Sequence, residues 1–209
     1  MLVDSLRGLG NIVVVSDGSD YDITGCKHVK QFPHYGKGGY WRTVNLLFNE
    51  RILSDYYIML PDDFLPAKDM VEKSLEIWSE IQDKKKICLN LIADRIGQAC
   101  WTGLKPVDKG FVYKTGWVDM CFLCTEEFFD FILPIEPPGI NWRTYPTMSS
   151  GVGRDISIRL AKNKYGLYQV KESLVTMQEE HCISKMKEND NNRYCINPIT
   201  GRKPEKNLR

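Results

Sequence analysis

The chain has 209 residues and a mass of 24.1 kDa, with 43% apolar, 26% charged and 11% aromatic residues. This is an ordinary globular composition, which excludes collagen-like, low-complexity and wholly disordered chains and suits one domain with a sizeable core. Lys and Arg number 28 against 27 for Asp and Glu, a net charge of +1, so no global field is available to capture or repel nucleic acid.

In chain order, Leu2 to Leu9 reads as the end of a helix. Ile12 to Ser16 is a short β-branched run that closes in the turn Asp17-Gly18-Ser19-Asp20. Tyr56 to Leu60 is a second strand, closing in Pro61-Asp62-Asp63. Lys68 to Gln82 sets Val71, Leu75, Trp78 and Ile81 at helical spacing. Ile87 to Ile92 is a third strand and Val118 to Cys124 a fourth. Thr125 to Ile132 predicts a helix capped by Thr125, with Glu126 and Glu127 at its positive start. Pro134 to Ser150 has no clean period and predicts a long loop of the kind that carries binding groups. Asp155 to Lys164 predicts another helix, with Gly166 beyond its end. Tyr168 to Val175 is a fifth strand. Strands alternating with helices predict an α/β domain whose sheet is mostly parallel and flanked by helices. That domain is expected over 1–182. A polar tail over 183–209 carries seven basic and three acidic residues.

Leu2 and Val3 are followed at once by Asp4 and Arg7, which is not a signal-peptide pattern. No window approaches the roughly 18 unbroken apolar residues of a membrane span. Seven scattered cysteines do not read as a disulfide framework. These features lead us to expect a cytoplasmic protein, or one in the host cytoplasm if the source is a virus. Cys121-x-x-Cys124 lies in an apolar strand, where residues three apart face opposite ways, so the pair reads as core rather than half a zinc site.

The chemistry concentrates in two acidic turns. In an open α/β sheet, ligands bind beyond the carboxyl ends of the strands. Asp17 to Asp20 and Asp62-Asp63 both follow such ends. Paired carboxylates there suit Mg²⁺ or Mn²⁺, which takes oxygen ligands and commonly one or two carboxylates plus substrate phosphates. An ordinary surface turn is the plainer alternative. Lys37 and Arg42 offer positive charge to an anionic ligand, or form a basic surface loop, and Gly36, Gly38 and Gly39 permit close backbone approach. His34 and Tyr35 share that loop, and Trp101, Trp142 and Tyr145 are aromatics that can stack on a ligand or pack within the fold.

Three segments then carry a resemblance. Asn11-Ile-Val-Val-Val-Ser-Asp-Gly-Ser-Asp20, Tyr35-Gly-Lys-Gly-Gly-Tyr-Trp-Arg-Thr-Val-Asn-Leu-Leu-Phe-Asn49 and Asp55-Tyr-Tyr-Ile-Met-Leu-Pro-Asp-Asp-Phe-Leu-Pro66 resemble, in order and spacing, the donor-binding half of GT-A-fold, nucleotide-sugar-dependent glycosyltransferases, most closely the inverting family 2. Ser149-Ser-Gly-Val-Gly-Arg-Asp-Ile-Ser-Ile-Arg-Leu160 and Ser173-Leu-Val-Thr-Met-Gln-Glu-Glu-His181 resemble that family's catalytic-acid segment and closing strand. The likeness implies a single GT-A-like (Rossmann-like) domain that transfers a sugar from a nucleotide-diphosphate donor, a UDP-sugar by preference, to an acceptor hydroxyl on a glycan, lipid or other molecule. It implies nucleotide-sugar contacts at Asp17, Gly18, Ser19, Lys37, Arg42 and Asp62. It also implies a metal, Mn²⁺ or Mg²⁺, at Asp63 with His181, and a general base at Asp155, with Asp119 as its rival. Family members open with a further strand and helix, of which this chain is expected to lack the strand.

Ser16, Pro61 and Arg154 stand where the family has acids. That favours an alternative, a non-catalytic nucleotide- or sugar-binding module. A viral-type enzyme acting on hydroxymethylated DNA bases is a further alternative; the basic tail suits it and the neutral net charge does not.

Overall fold

The computed structural model describes residues 2–93, 104–118, 120–139 and 151–177. In chain order these form α1 (Leu2–Ser5), β1 (Val13–Asp17), β2 (Lys27–Gln31), α2 (Gly36–Asn49), β3 (Tyr57–Met59), β4 (Phe64–Pro66), α3 (Met70–Glu80), β5 (Lys86–Asn90), β6 (Val107–Asp108), β7 (Val112–Thr115), β8 (Phe122–Cys124), α4 (Glu126–Ile132), α5 (Val152–Lys162), β9 (Gly166–Val170) and β10 (Val175–Met177). Six strands make the central sheet, in the order β3-β8-β5-β9-β7-β6. β1 and β2 pair apart from it in parallel, and β4 and β10 form an antiparallel ribbon.

The α/β class with flanking helices is as expected, but the strand directions are mixed rather than mostly parallel. Within the six-stranded sheet only β5 and β9 pair in parallel; β3–β8, β8–β5, β9–β7 and β7–β6 are antiparallel. β8 lies between β3 and β5, and β7 lies beyond β9; both run against β5 and β9, so each pairs antiparallel with the strand beside it. The expected strand over Val118 to Cys124 is shortened to its last three residues.

Each face of the sheet buries its own core, as the period of two requires. Cys88, Phe122, Cys124 and Leu167 face α2, α4 and α5, where Val44, Phe48, Phe128, Phe129, Ile156 and Leu160 meet them. Leu89, Leu91, Leu123, Tyr168 and Val170 face α3, with Met70 and Trp78. Cys121 and Cys124 belong to opposite cores, and burial pushes the Cys124 thiol well up in pKa, as befits an inert packing group. The stripe expected on Lys68 to Gln82 is rotated slightly: Met70, Ser74 and Trp78 are the buried positions of α3, with Val71 and Leu75 at its margin. Among the described residues no helix is long and apolar enough to cross a membrane.

Two helix ends differ from expectation. The Thr125 hydroxyl makes no capping bond; its carbonyl accepts from the Phe128 amide at 3.1 Å instead. α5 stops without a glycine, with Lys164 itself turning left-handed at φ 61°. Gly166 is needed for a different reason. It opens β9 so close to Asp83 that a Cβ would lie 2.6 Å from that residue's Oδ2.

That carboxylate ties the amino edge of the sheet. It accepts from Lys114 at 2.8 Å, from the Tyr168 hydroxyl at 2.7 Å and from the Lys85 amide at 2.9 Å. Burial opposes its charge, but these donors outweigh burial and bring its pKa down to about 2. A depressed carboxyl pKa gives stability that is present above the unfolded value near 4 and is lost as pH falls towards 2. Asp83→Asn is therefore expected to cost up to about 2 kcal/mol at pH 7 and almost nothing at pH 2. Denaturant titrations at pH 7, 4, 3 and 2 test this; a pH-independent difference would contradict it.

Candidate functional site

The residues Met59, Phe122, Asn90, Gln169 and Tyr113 stand side by side across five strands. They mark the edge where β3, β5 and β9 end, the side on which α/β sheets take ligands. Four pieces of chain crowd this edge. The Asp62–Asp63 turn follows β3 directly and leads into β4. β4 pairs with β10, Met177 lying opposite Phe64, so the ribbon ends one residue from Asp63. The continuation of β5 holds the ribbon in place: the Leu174 amide donates to the Leu91 carbonyl at 2.8 Å, and the Ala93 amide to Ser173 Oγ at 2.7 Å. The approach to β8 is the fourth piece, with the Leu91 amide donating to the Cys121 carbonyl at 3.0 Å.

Two buried polar groups at this edge position that approach. Asn90, fully buried, donates through Nδ2 to the Trp117 carbonyl at 2.9 Å. Ser157 Oγ accepts the Val118 amide at 2.7 Å and donates to the Gly153 carbonyl at 2.5 Å. Gly153 has no room for a side chain, since a Cβ would come 2.7 Å from the Val118 carbonyl oxygen. α5 therefore rests its first turn on the backbone of 117–118. Trp117 itself is core, on the α3 side. None of these positioning groups was singled out from sequence. Asn90 left one signal, a polar residue inside the apolar run Ile87 to Ile92.

The second acidic turn is organised differently. Asp17 ends β1, and its carboxylate is occupied from within the fold. Oδ1 accepts from Gln31 Nε2 at 2.9 Å and from the Tyr35 amide at 3.2 Å, which caps the start of α2. Oδ2 lies 3.2 Å from His34 Nδ1. Beside it, Ser16, which stands where the resemblance expects an acid, bonds to His28 Nε2 at 2.7 Å, while the Ile23 amide donates to His28 Nδ1 at 3.1 Å. Gly18 is left-handed at φ 83° and its amide donates to the Gln31 carbonyl at 3.0 Å. Ser19 is half-buried in the same turn.

The remaining candidates are scattered. Gly36, Lys37, Gly38 and Gly39, expected as a flexible loop, form the first turn of α2. The Arg42 guanidinium lies over the rings of Tyr35 and Trp41, at 4.8 and 5.0 Å from their centroids. Asp62 is exposed and Asp63 half-buried. Asp155 sits in the first turn of α5 and lines a shallow hollow with Ile135, Glu136, Ile156 and Arg159. Asp119, His181, Trp101, Trp142, Tyr145 and the tail over 183–209 lie outside the described residues. Asp62 and Asp63 supply the oxygen donors that a hard cation prefers, although among the described residues no three His, Cys, Asp or Glu side chains gather as a ligand set.

The architecture is similar to that of GalNAc-T7, solved with UDP, GalNAc and Mn²⁺: the TM-score is 0.57 at 15% identity. The fold is GT-A. The match covers 81% of this chain and 39% of GalNAc-T7, so it spans about two fifths of that protein. No family model and no curated protein sequence matches the chain.

Proposed function

We propose that the protein is a glycosyltransferase that moves a sugar from a nucleotide-diphosphate donor, a UDP-sugar, to an acceptor hydroxyl on a glycan or lipid, by inversion as in family 2. The observation that carries this is the Asp62–Asp63 turn, set at the ligand-binding edge of a GT-A sheet directly after β3. A structure of this fold that holds UDP and Mn²⁺ supports the choice of donor and ion.

In this reading Asp63 and His181 hold Mn²⁺ or Mg²⁺, and Asp62, Lys37, Arg42, Gly18 and Ser19 serve the nucleotide sugar. The bound ion would neutralise charge on the departing diphosphate. Asp119 or Asp155 takes the acceptor's proton as general base. Of the two, Asp119 adjoins the segment that Asn90 and Ser157 clamp at the ligand edge.

A second reading, a nucleotide-binding module without chemistry, is favoured by the residues that stand where the family has acids: Pro61 and Arg154, and Ser16, whose hydroxyl is bonded to His28 Nε2 at 2.7 Å. A donor-hydrolysis screen across nucleotide sugars, with Mn²⁺ and with Mg²⁺, separates the two. Metal-stimulated release of a nucleoside diphosphate from one donor is the expected result. Tight nucleotide binding without release from any donor would give the second reading the advantage, and no binding at all would remove both.

A further inference from the structure

The Asp17–Gly18 turn is shaped around one exposed ring. His34 Nδ1 lies 3.0 Å from the Asp17 carbonyl oxygen and 3.2 Å from its Oδ2. Both oxygens can only accept, so Nδ1 carries the hydrogen and donates. Gly18 makes the seat possible, since a Cβ there would fall 2.5 Å from His34 Cβ. The result is uneven: the Asp17 side chain is 19% exposed, whereas that of His34 is 65% exposed. A surface histidine ordinarily turns freely, but this one is fixed by a carboxylate, a carbonyl and a missing side chain. It stands beyond the carboxyl ends of the parallel pair β1–β2, the end at which parallel strands of α/β folds take ligands.

We infer that His34, and not Asp17, is the side chain that reads the donor's nucleobase, with Asp17 acting through it as a positioning residue. This rests on the nucleotide-sugar reading above and assigns the base subsite within it. With the hydrogen on Nδ1, the neutral ring presents Nε2 to solvent as an acceptor. Its complement is a base that offers a ring N–H, as uracil does at N3. Cytosine presents a lone pair at the same position and is refused. The site therefore selects uridine over cytidine nucleotides by one hydrogen bond.

Two substitutions separate the parts of this arrangement. His34→Asn places an amide N–H near the Nδ1 position, so it keeps the bond to Asp17 but has nothing at the Nε2 position. His34→Gln returns a polar atom to the Nε2 position, and its amide can turn to accept or to donate. Calorimetric titration of each protein with UDP and with CDP, in the presence of Mn²⁺, is the test. The wild type is expected to favour UDP. His34→Asn is expected to weaken UDP about tenfold, the size of one well-placed hydrogen bond, and to leave CDP unchanged. His34→Gln is expected to recover UDP and to gain CDP. If the wild type prefers UDP and His34→Asn binds it equally well, the assignment of His34 is wrong while the nucleotide reading stands. If the wild type binds neither nucleotide, the nucleotide reading fails and takes this assignment with it.

Discussion

Asn90→Asp is expected to destabilise the protein by about 3 kcal/mol or more at pH 7. Asn90 ends β5 with no exposed surface, and its Nδ2 donates to the Trp117 carbonyl at 2.9 Å. Aspartate has nearly the same shape, so packing hardly changes. What changes is the chemistry: an ionised carboxylate cannot donate, and its oxygen is pressed against the carbonyl it replaces a bond to. The carboxylate would be set beside the apolar side chains of the cluster that holds Cys88 and Phe122, where burial penalises its charge. The variant also carries its own control. Burial raises the folded-state pKa of such a carboxyl above its unfolded value. The favourable protonated form is therefore fully present below the unfolded pKa near 4, and its contribution is lost as pH rises through the folded pKa. Protonated, the group donates to Trp117 again. Urea titrations should thus show the gap from wild type shrinking as pH drops from 7 to 4. Asn90→Leu lacks any such rescue and is expected to cost about 1–3 kcal/mol at every pH, the cost of a buried carbonyl without its donor. A gap for Asn90→Asp that stays constant with pH would mean that water or another donor reaches this carbonyl.

The expected effect reaches beyond stability, because Asn90 and Ser157 both hold the backbone of 117–118 at the ligand edge. Neither is exposed, so neither can touch a substrate in this arrangement. Their contribution to activity is positional.

How much of this was readable from sequence follows from which forces act locally. β1, β3 and β5 were visible because apolar and β-branched runs end in turns, and α3 because its apolar residues repeat at helical spacing. β2 was not, since Lys27-His-Val-Lys-Gln31 is mostly polar and buries only Gln31 fully. The start of α2 contradicts propensity: Gly36, Gly38 and Gly39 are poor helix formers, and the helix is held further along by Val44 and Phe48 in the core. Strand directions were illegible for another reason. Helices α4 and α5 lie between β8 and β9, yet those two strands run in opposite directions, so the alternation of strand and helix does not fix which strands pair or in which sense.

The candidate site divides in the same way. Asp62 and Asp63 are neighbours in sequence and stay neighbours in space. The seat of His34 joins residues 17 positions apart and depends on Gly18 having no Cβ. The clamp on 117–118 draws on β5 and α5, which are far apart in the chain. Such contacts arise from tertiary packing and leave no local pattern.

Asp63→Ala is expected to reduce metal-stimulated donor turnover by about 10²- to 10³-fold, the scale on which losing one preorganised electrostatic group slows group transfer. The case for Asp63 over its neighbour is positional. It immediately precedes β4, whose register with β10 is fixed by Phe64 opposite Met177 and Pro66 opposite Val175. The Ala67 amide extends the ribbon by donating to the Leu174 carbonyl at 2.8 Å, and the Leu174 amide ties it to the continuation of β5 by donating to the Leu91 carbonyl at 2.8 Å. A carboxylate on such a support keeps its direction, which a cation site requires. Asp62 is more exposed and one residue further from β4, so Asp62→Ala should cost about tenfold or less. Because the turn is outside the core, both variants should melt within a few degrees of wild type. A ligand to the ion has a further signature. Asp63→Asn keeps an oxygen donor but loses its charge, so raising Mn²⁺ should recover part of its activity, whereas no concentration should rescue Asp63→Ala fully. Unchanged turnover in Asp63→Ala, with an unchanged dependence on Mn²⁺, would show that the acidic turn is only a turn.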